Sequence, residues 1–345
     1  MQTINETIKE TTRRLLADKT AVRVVGWTQG EFLYDPTPAV FDSAESLEKL
    51  VYNDFCGANF SKYLMRVEKS LRWFESTSMR NLVGETAKPG KIAVLLKPCD
   101  TYSFNQLHRE HRAERDHVYV VGIPCPGMLD IEKLRAQGIK GIRGISRDNN
   151  TLTIDTAYGE KNCSLTGALL DKCLGCKGKT HAVADEMIEP DWAEESAETA
   201  RFAMVAELET MTAKERFTFW RSELSKCIRC NACRNACPAC TCVLCVFDNP
   251  QSGMASKANS DPAEENLFHL TRAFHVAGRC TDCGECSRVC PQRIPLHLLN
   301  RKMIKDINEL YGDYQAGADT ESRSPLTDYT QGDAEPGIVR ERSGQ

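Results

Sequence analysis

The sequence predicts an α/β N-terminal domain followed by a smaller, mainly helical and loop module, and three observations carry that expectation. Strand-like and helix-like segments alternate from residue 91 to residue 138. Two dense cysteine runs of matching arithmetic begin at Cys227 and Cys280. The stretch beyond about residue 314 is polar and without periodicity, which predicts a disordered tail over 314–345.

The opening stretch "MQTINETIKETTRRLLADKT" predicts an amphipathic helix with Ile4, Ile8, Leu15 and Leu16 on its core face. It lacks the apolar centre of a secretory signal, and no stretch of the chain approaches the ~20 apolar residues of a membrane span. The expected location is therefore cytoplasmic, with no membrane span. "AVRVVGWTQGEFLY" predicts two short strands within residues 21–34 about a Thr-Gln-Gly turn. Asp42, with Glu45 three residues on, is the capping-box signature of a helix over "SAESLEKLVYNDF". "KIAVLL" is a buried-type strand, "YSFNQLHREHR" a helix, "HVYVVGI" a second strand and "LDIEKLRAQG" a second helix; "GIRGIS" and "TLTID" are strands after them. This alternation defines an α/β domain over residues 1–185.

Residues 186–215 are expected to be an acidic linker and helix. Thr212 and Glu215 then form a capping-box pair ahead of "RFTFWRSELSK", with Phe217, Trp220 and Leu224 on one helical face. Residues 216–313 form the second module. Within it, Asp261, Pro262 and Glu264 mark the start of a helix over "DPAEENLFHLTRAFHVAG". A last helix, "IPLHLLNRKMIKDINELYG", ends at Gly312 with Leu299, Met303, Ile307 and Leu310 in phase.

Seventeen cysteines among 345 residues is a high count for a chain without a secretory signal. In a reducing compartment clustered thiols bind metal or carry redox chemistry rather than disulfides. A formal charge of −4 gives no reason to expect a nucleic-acid partner. Cys227, Cys230, Cys233 and Cys237 give C-x2-C-x2-C-x3-C followed by Pro238; Cys280, Cys283, Cys286 and Cys290 repeat it before Pro291. Two copies of this run are the signature of a bacterial two-[4Fe–4S] ferredoxin-like module, in which the fourth cysteine of each run ligates the other cluster. The expected sets are Cys227, Cys230, Cys233 and Cys290 for one cluster, and Cys280, Cys283, Cys286 and Cys237 for the other. Structural zinc takes two separated pairs and has no use for a third close cysteine, twice over. Cys240, Cys242 and Cys245 lie between the runs, either as ligands of something further or, as we expect, packed as small apolar residues.

Six cysteines remain in the α/β domain: Cys56, Cys99, Cys125, Cys163, Cys173 and Cys176. Cys99 follows one predicted strand in "KPCD" and Cys125 follows the next in "GIPC", so parallel neighbours would bring both to one sheet edge. With the close pair of "CLGC", four thiols from three loops suit a third [4Fe–4S] cluster. Cys163 is a spare candidate, and inert buried thiols are the alternative reading.

On "KPCD", "VGIPCPGMLD" and "CLGCKGKTHAVADEMI", over residues 45–190, the chain resembles the beta-subunit family of coenzyme F-420-reducing hydrogenases and dehydrogenases. The following module resembles that of formate dehydrogenase and heterodisulfide-reductase-associated members. The resemblance implies Cys99, Cys125, Cys173 and Cys176 as cluster ligands, and FAD in the same domain. Asn59, Lys97 and Arg80 are the nominated flavin-contacting residues, although no G-x-G-x-x-G fingerprint follows a strand. His108, His111 and His117 read as a solvated face, His275 and His297 as packing residues, and no Ser/His/Asp or paired-carboxylate constellation stands out. The expected function is an iron–sulfur electron-transfer subunit relaying electrons between a soluble carrier or flavin and a larger catalytic redox subunit. The rivals are an FAD-dependent oxidoreductase acting itself on a deazaflavin or nicotinamide, and a flavin-free docking adaptor.

Overall fold

The structure, a computed structural model, describes residues 2–65, 91–148, 150–190, 200–252 and 262–327. Helix α1 (Gln2–Ala17) buries Ile4, Ile8 and Leu15 as its periodicity requires. Strand β1 (Ala21–Thr28) follows, then β2 (Thr37–Phe41), a short β3 (Leu50–Val51), β4 (Lys91–Leu96) and β5 (Val118–Gly122). Every residue of β4 from Ile92 to Leu96 is buried, the continuous apolar run of a strand covered on both faces. The sheet order is β2-β1-β4-β5-β9, where β9 is Glu186–Met187; β1, β4, β5 and β9 are parallel, and β2 and β3 are antiparallel to β1.

Helix α2 (Pro98–Arg109) follows β4 and begins on a proline, whose missing N–H costs nothing at a helix start. Helix α3 (Ile131–Ala136) is capped by the Asp130 side chain. A second antiparallel sheet, β6 (Ile142–Asp148), β7 (Thr151–Thr156) and β8 (Gly159–Ser164), has its own small core around Leu134, Leu152 and Ile154. Helices α4 (Ala203–Thr210), α5 (Ala213–Ser225), α6 (Pro262–Val276) and α7 (Leu296–Tyr311) build the second module. The Thr212 and Glu215 capping box at α5 forms as its spacing demands, and Gly312 ends α7 with positive φ.

Several expectations are corrected. The second strand after β1 lies at 37–41 rather than within residues 21–34, because Asp35 accepts from the Phe32 amide and closes a turn there. The helix after Asp42 is a single turn, Ala44–Leu47, capped by Ser43 with Ser46, and the chain then extends into β3. β9 falls in the supposed linker. Asp185 anchors it by exchanging backbone and side-chain bonds with Val120, so the α/β sheet runs past residue 185. Phe217 and Leu310 are exposed although Leu224, Leu299 and Ile307 are buried. His275 is exposed too, whereas His297 is buried. Residues 314–327 are not a loose tail: Ala316 and Ser324 are buried, Tyr314 donates to the Gly278 carbonyl, and Asn105 donates to the Gly317 carbonyl. Asp261 and Arg80 lie outside the described residues.

The module is bound to the α/β domain by a buried ion pair and by hydrogen bonds around it. Lys172 and Glu285 meet at 2.7 Å, and Lys172 also donates to the Cys283 carbonyl. Arg301 reaches Asp282 at 2.8 Å and donates to the Lys172 carbonyl, while Arg201 takes the other Asp282 oxygen. Gly284, with φ +65°, leaves room for the Lys172 side chain that packs directly against it.

Candidate iron–sulfur sites

The two cysteine runs fold alike for a backbone reason. In the first, Arg229 and Asn231 have φ of +51° and +61°; in the second, Asp282 and Gly284 have +57° and +65°. Two left-handed residues at the same offsets curl each run, and a one-turn helix follows each, Ala232–Asn235 and Glu285–Arg288. Successive amides in such a curl converge on a concavity that favours an anion. Left-handed Arg and Asp are strained, at about 1–3 kcal/mol each. Buried ion pairs hold them, Arg229 to Glu265 at 2.5 Å and Asp282 to both Arg301 and Arg201.

Cys227, Cys230, Cys233 and Cys290 line one pocket together with Phe268, His269 and Leu296. Three come from the first run and one from the second. Cys237, the fourth cysteine of the first run, packs with Ala239 and Val276 in a small cluster that Cys280, the first cysteine of the second run, packs against. The fourth cysteine of each run thus lies beside cysteines of the other.

The register of the parallel sheet builds a third group. Leu96 pairs with Gly122, so Cys99 and Cys125 stand equally far past the ends of adjacent strands. Tyr52 donates to the Pro124 carbonyl, and Arg147 on β6 donates to the carbonyls of Pro126 and Gly127, which fixes the loop carrying Cys125. The one-turn helix Asp171–Leu174 brings Cys173, whose sulfur accepts from the Met128 amide. Cys99, Cys125, Cys173 and Cys176 all line one pocket. Cys283 and Asp282 of the second run line it too, with Lys97, Lys172, Lys177 and Lys179.

Cys163 is not there. It lies on β8 opposite Leu152 and packs into the small second core, which removes it as the spare ligand. Cys56 is buried in the main core, where burial pushes its thiol up to about 12. Cys240 packs on Val276 and Cys280 and hydrogen-bonds Cys237, whose thiol is lowered by that bond and by Arg272 and Lys62. Cys242 is exposed, so packing does not account for it.

Burial pushes up Cys99, Cys173 and Cys280, and takes Cys227 and Cys286 to about 12 and Cys283 to about 11. Lys172 opposes this at Cys99, Cys173 and Cys283, and Arg272 at Cys233 and Cys286. A bound iron deprotonates its thiols outright, so loading these sites releases protons. Three groups of four soft sulfur donors, each backed by fixed cations, fit thiolate-held iron–sulfur clusters.

Of the nominated flavin residues, Asn59 and Lys97 do not offer free donors. Asn59 caps the 3₁₀ turn Phe60–Leu64 and donates to Ser103. Lys97 is buried over Trp27 and is shared among Asp100 and the Gly57 and Ala58 carbonyls. Both side chains tie the turn to the sheet. Lys172, His269 and Arg272 line or back these cavities and were not singled out from sequence. The legible signal for the last two is a polar residue in phase with Phe268, Ala273 and Val276 on the buried face of α6.

Residues 223–294 match a family model described as a 4Fe-4S dicluster domain. The chain is 23% identical over 369 residues to the F420-dependent formate dehydrogenase subunit beta of Methanocaldococcus jannaschii, covering 90% of this chain and 91% of that one. It is 22% identical over 377 residues to the F420-dependent formate dehydrogenase 1 subunit beta of Methanococcus maripaludis, covering 91% of each. Among solved structures, a chain of the F420-reducing [NiFe] hydrogenase complex from Methanosarcina barkeri aligns at a TM-score of 0.35 and 13% identity, over 49% of this chain and 58% of that chain. Over nine-tenths of its length this chain is therefore similar to two F420-dependent formate dehydrogenase beta subunits, and its residues 223–294 are a 4Fe-4S dicluster domain.

Proposed function

We propose that this chain is an iron–sulfur electron-transfer subunit that relays electrons between a soluble carrier of the F420 kind and a larger catalytic redox subunit. The observation that carries the proposal is the shared cavity: the four α/β cysteines and Cys283 of the dicluster domain line the same space. A [4Fe–4S] cluster on each set would take up and release single electrons, with its potential set by the surrounding charge, hydrogen bonds and exposure. The residues then form a succession of neighbours. Cys99, Cys125, Cys173 and Cys176 lie at the sheet edge; Cys280, Cys283, Cys286 and Cys237 come next; Cys227, Cys230, Cys233 and Cys290 stand furthest out, where Cys230 and Ile228 are exposed.

The chain's own groups hold this succession rigid. Lys172 and Glu285 lock the first and second sets together, and Arg229 with Glu265 braces the third. The exposed side of α6, with Leu267, Leu270 and Phe274 one to two turns apart, lies beside the outermost set and is the surface on which we place the catalytic subunit. Flavin in the α/β domain is implied by the family resemblance, but we assign it no contact through Asn59 or Lys97.

Anaerobic purification with iron, sulfide, zinc and flavin analysis tests the proposal. The expected result is about twelve irons and as many acid-labile sulfides, four per cysteine set. Near eight irons would remove the sheet-edge set, and stoichiometric zinc with little iron would end the reading.

A further inference from the structure

Arg272 on α6 is the feature that neither the ligand count nor the relay explains. It is 3% exposed, and all three of its guanidinium nitrogens are buried without a hydrogen-bond partner among the described residues. A guanidinium cannot shed its proton to escape burial, and a buried unpaired charge is among the costliest features a fold can carry. Arg229 on the same module has Glu265, and Arg301 has Asp282. Arg272 has no carboxylate partner among the described residues. The anionic groups that act on it are sulfurs, in order Cys286, Cys233, Cys237 and Cys240. Cys233 belongs to the outer set, Cys286 and Cys237 to the middle one. Ala273 beside it packs in one cluster with Cys233 and Cys286, and Val276 one turn on packs with Cys237, so this stretch of α6 lies against cysteines of both proposed sets.

We propose that Arg272 is a positioning residue for charge: its fixed guanidinium acts on the two dicluster-domain sites and raises the reduction potential of both. The inference rests on the cluster reading above. A thiolate-held cluster gains negative charge on reduction, so a cation close by, and N–H groups aimed at its sulfurs, favour the reduced state. Low surrounding dielectric strengthens the effect, since both partners are out of water. One charge acting on two sites shifts both potentials in the same direction, so it can raise them without opening a gap between them. The helix that carries Arg272 lies in the long insertion between the cysteine runs, which gives that insertion a role at its inner face as well as its outer one.

The test is an EPR-monitored redox titration of the anaerobically purified full chain as unaltered protein, Arg272→Met and Arg272→Lys, with iron counted on each sample. In Arg272→Met both dicluster-domain midpoints are expected to fall, while the sheet-edge signal, identified by its loss in Cys173→Ser, stays in place. Arg272→Lys, which keeps the charge, is expected to restore most of the shift. Arg272→Met at full iron with unmoved midpoints would overturn the inference, as would a lysine variant shifted as far as the methionine one. Should the methionine variant fail to take up iron, the lysine variant decides: midpoints near those of the unaltered protein support a role for charge, and midpoints clearly lowered at full iron refute it. Little iron in the unaltered protein would instead defeat the cluster reading itself.

Discussion

Cys173 and Cys163 illustrate how much a single position decides. Both are half-buried thiols near one another in sequence, and both were candidates for the same site. Cys173 lines the sheet-edge cavity and accepts from the Met128 amide, whereas Cys163 fills a gap among Leu129, Leu152 and Ile154. Serine at 173 should cost about four irons and leave the dicluster-domain signals intact. Serine at 163 should keep all the iron and lose only packing, on the order of 1 kcal/mol. Parallel iron analysis of the two variants checks this; iron lost from Cys163→Ser alone would reverse the assignment.

At the scale of elements, α7 is joined to the second cysteine run through His297. The Ser287 hydroxyl oxygen accepts from the His297 amide at 2.9 Å and shares a second hydrogen bond, also of 2.9 Å, with Nδ1 of the same residue. Burial, with Arg301 nearby, holds the imidazole down at about 4 against a usual 6.5. The unfolded chain therefore binds a proton below pH 6.5 that the fold refuses until about pH 4, and stability falls as pH drops through that window. The full effect is up to about 3 kcal/mol. Apparent melting temperatures taken anaerobically at pH 7 and pH 5 should show a larger drop for the native protein than for His297→Gln; equal drops would discard this role. The Thr212 cap of α5, by contrast, is exposed and local, and its loss to alanine should cost about 1 kcal/mol without touching iron content.

Across the whole molecule, three sulfur sets and their cations run from the sheet edge to an exposed apolar helix face. Leu267, Leu270 and Phe274 are between 43% and 64% exposed, too much apolar surface on one stripe to be needed by the module's own core, which α6 meets with Phe268, Ala273 and Val276. Replacing Leu270 and Phe274 by aspartate should leave iron content unchanged and weaken co-purification with the catalytic subunit at least tenfold, since losing two buried apolar anchors costs a few kcal/mol. Affinity purification of native and altered chains from the same cells reads this directly. Undiminished recovery of the partner would move the interface elsewhere.

The spacing of thiols alone was enough to specify the dicluster domain, because three cysteines within seven residues can meet one cube only by local curling, and local curling is written in adjacent residues. The strands β4 and β5, the helix α2 between them and the capping box at α5 were legible for the same reason: each rests on contacts within a few turns of chain. The gathering of Cys99, Cys125, Cys173 and Cys176 in one cavity was only half legible, since the parallel register that aligns Leu96 with Gly122 comes from long-range pairing. What tertiary structure alone decided is where the charges went. Lys172 on Glu285, Arg301 and Arg201 on Asp282, and an unpaired Arg272 on a helix against cysteines of two sets join segments far apart in sequence. A lysine or arginine reads as solvated surface until packing removes the water around it, and only burial turns its charge into a determinant of what the neighbouring thiols can bind.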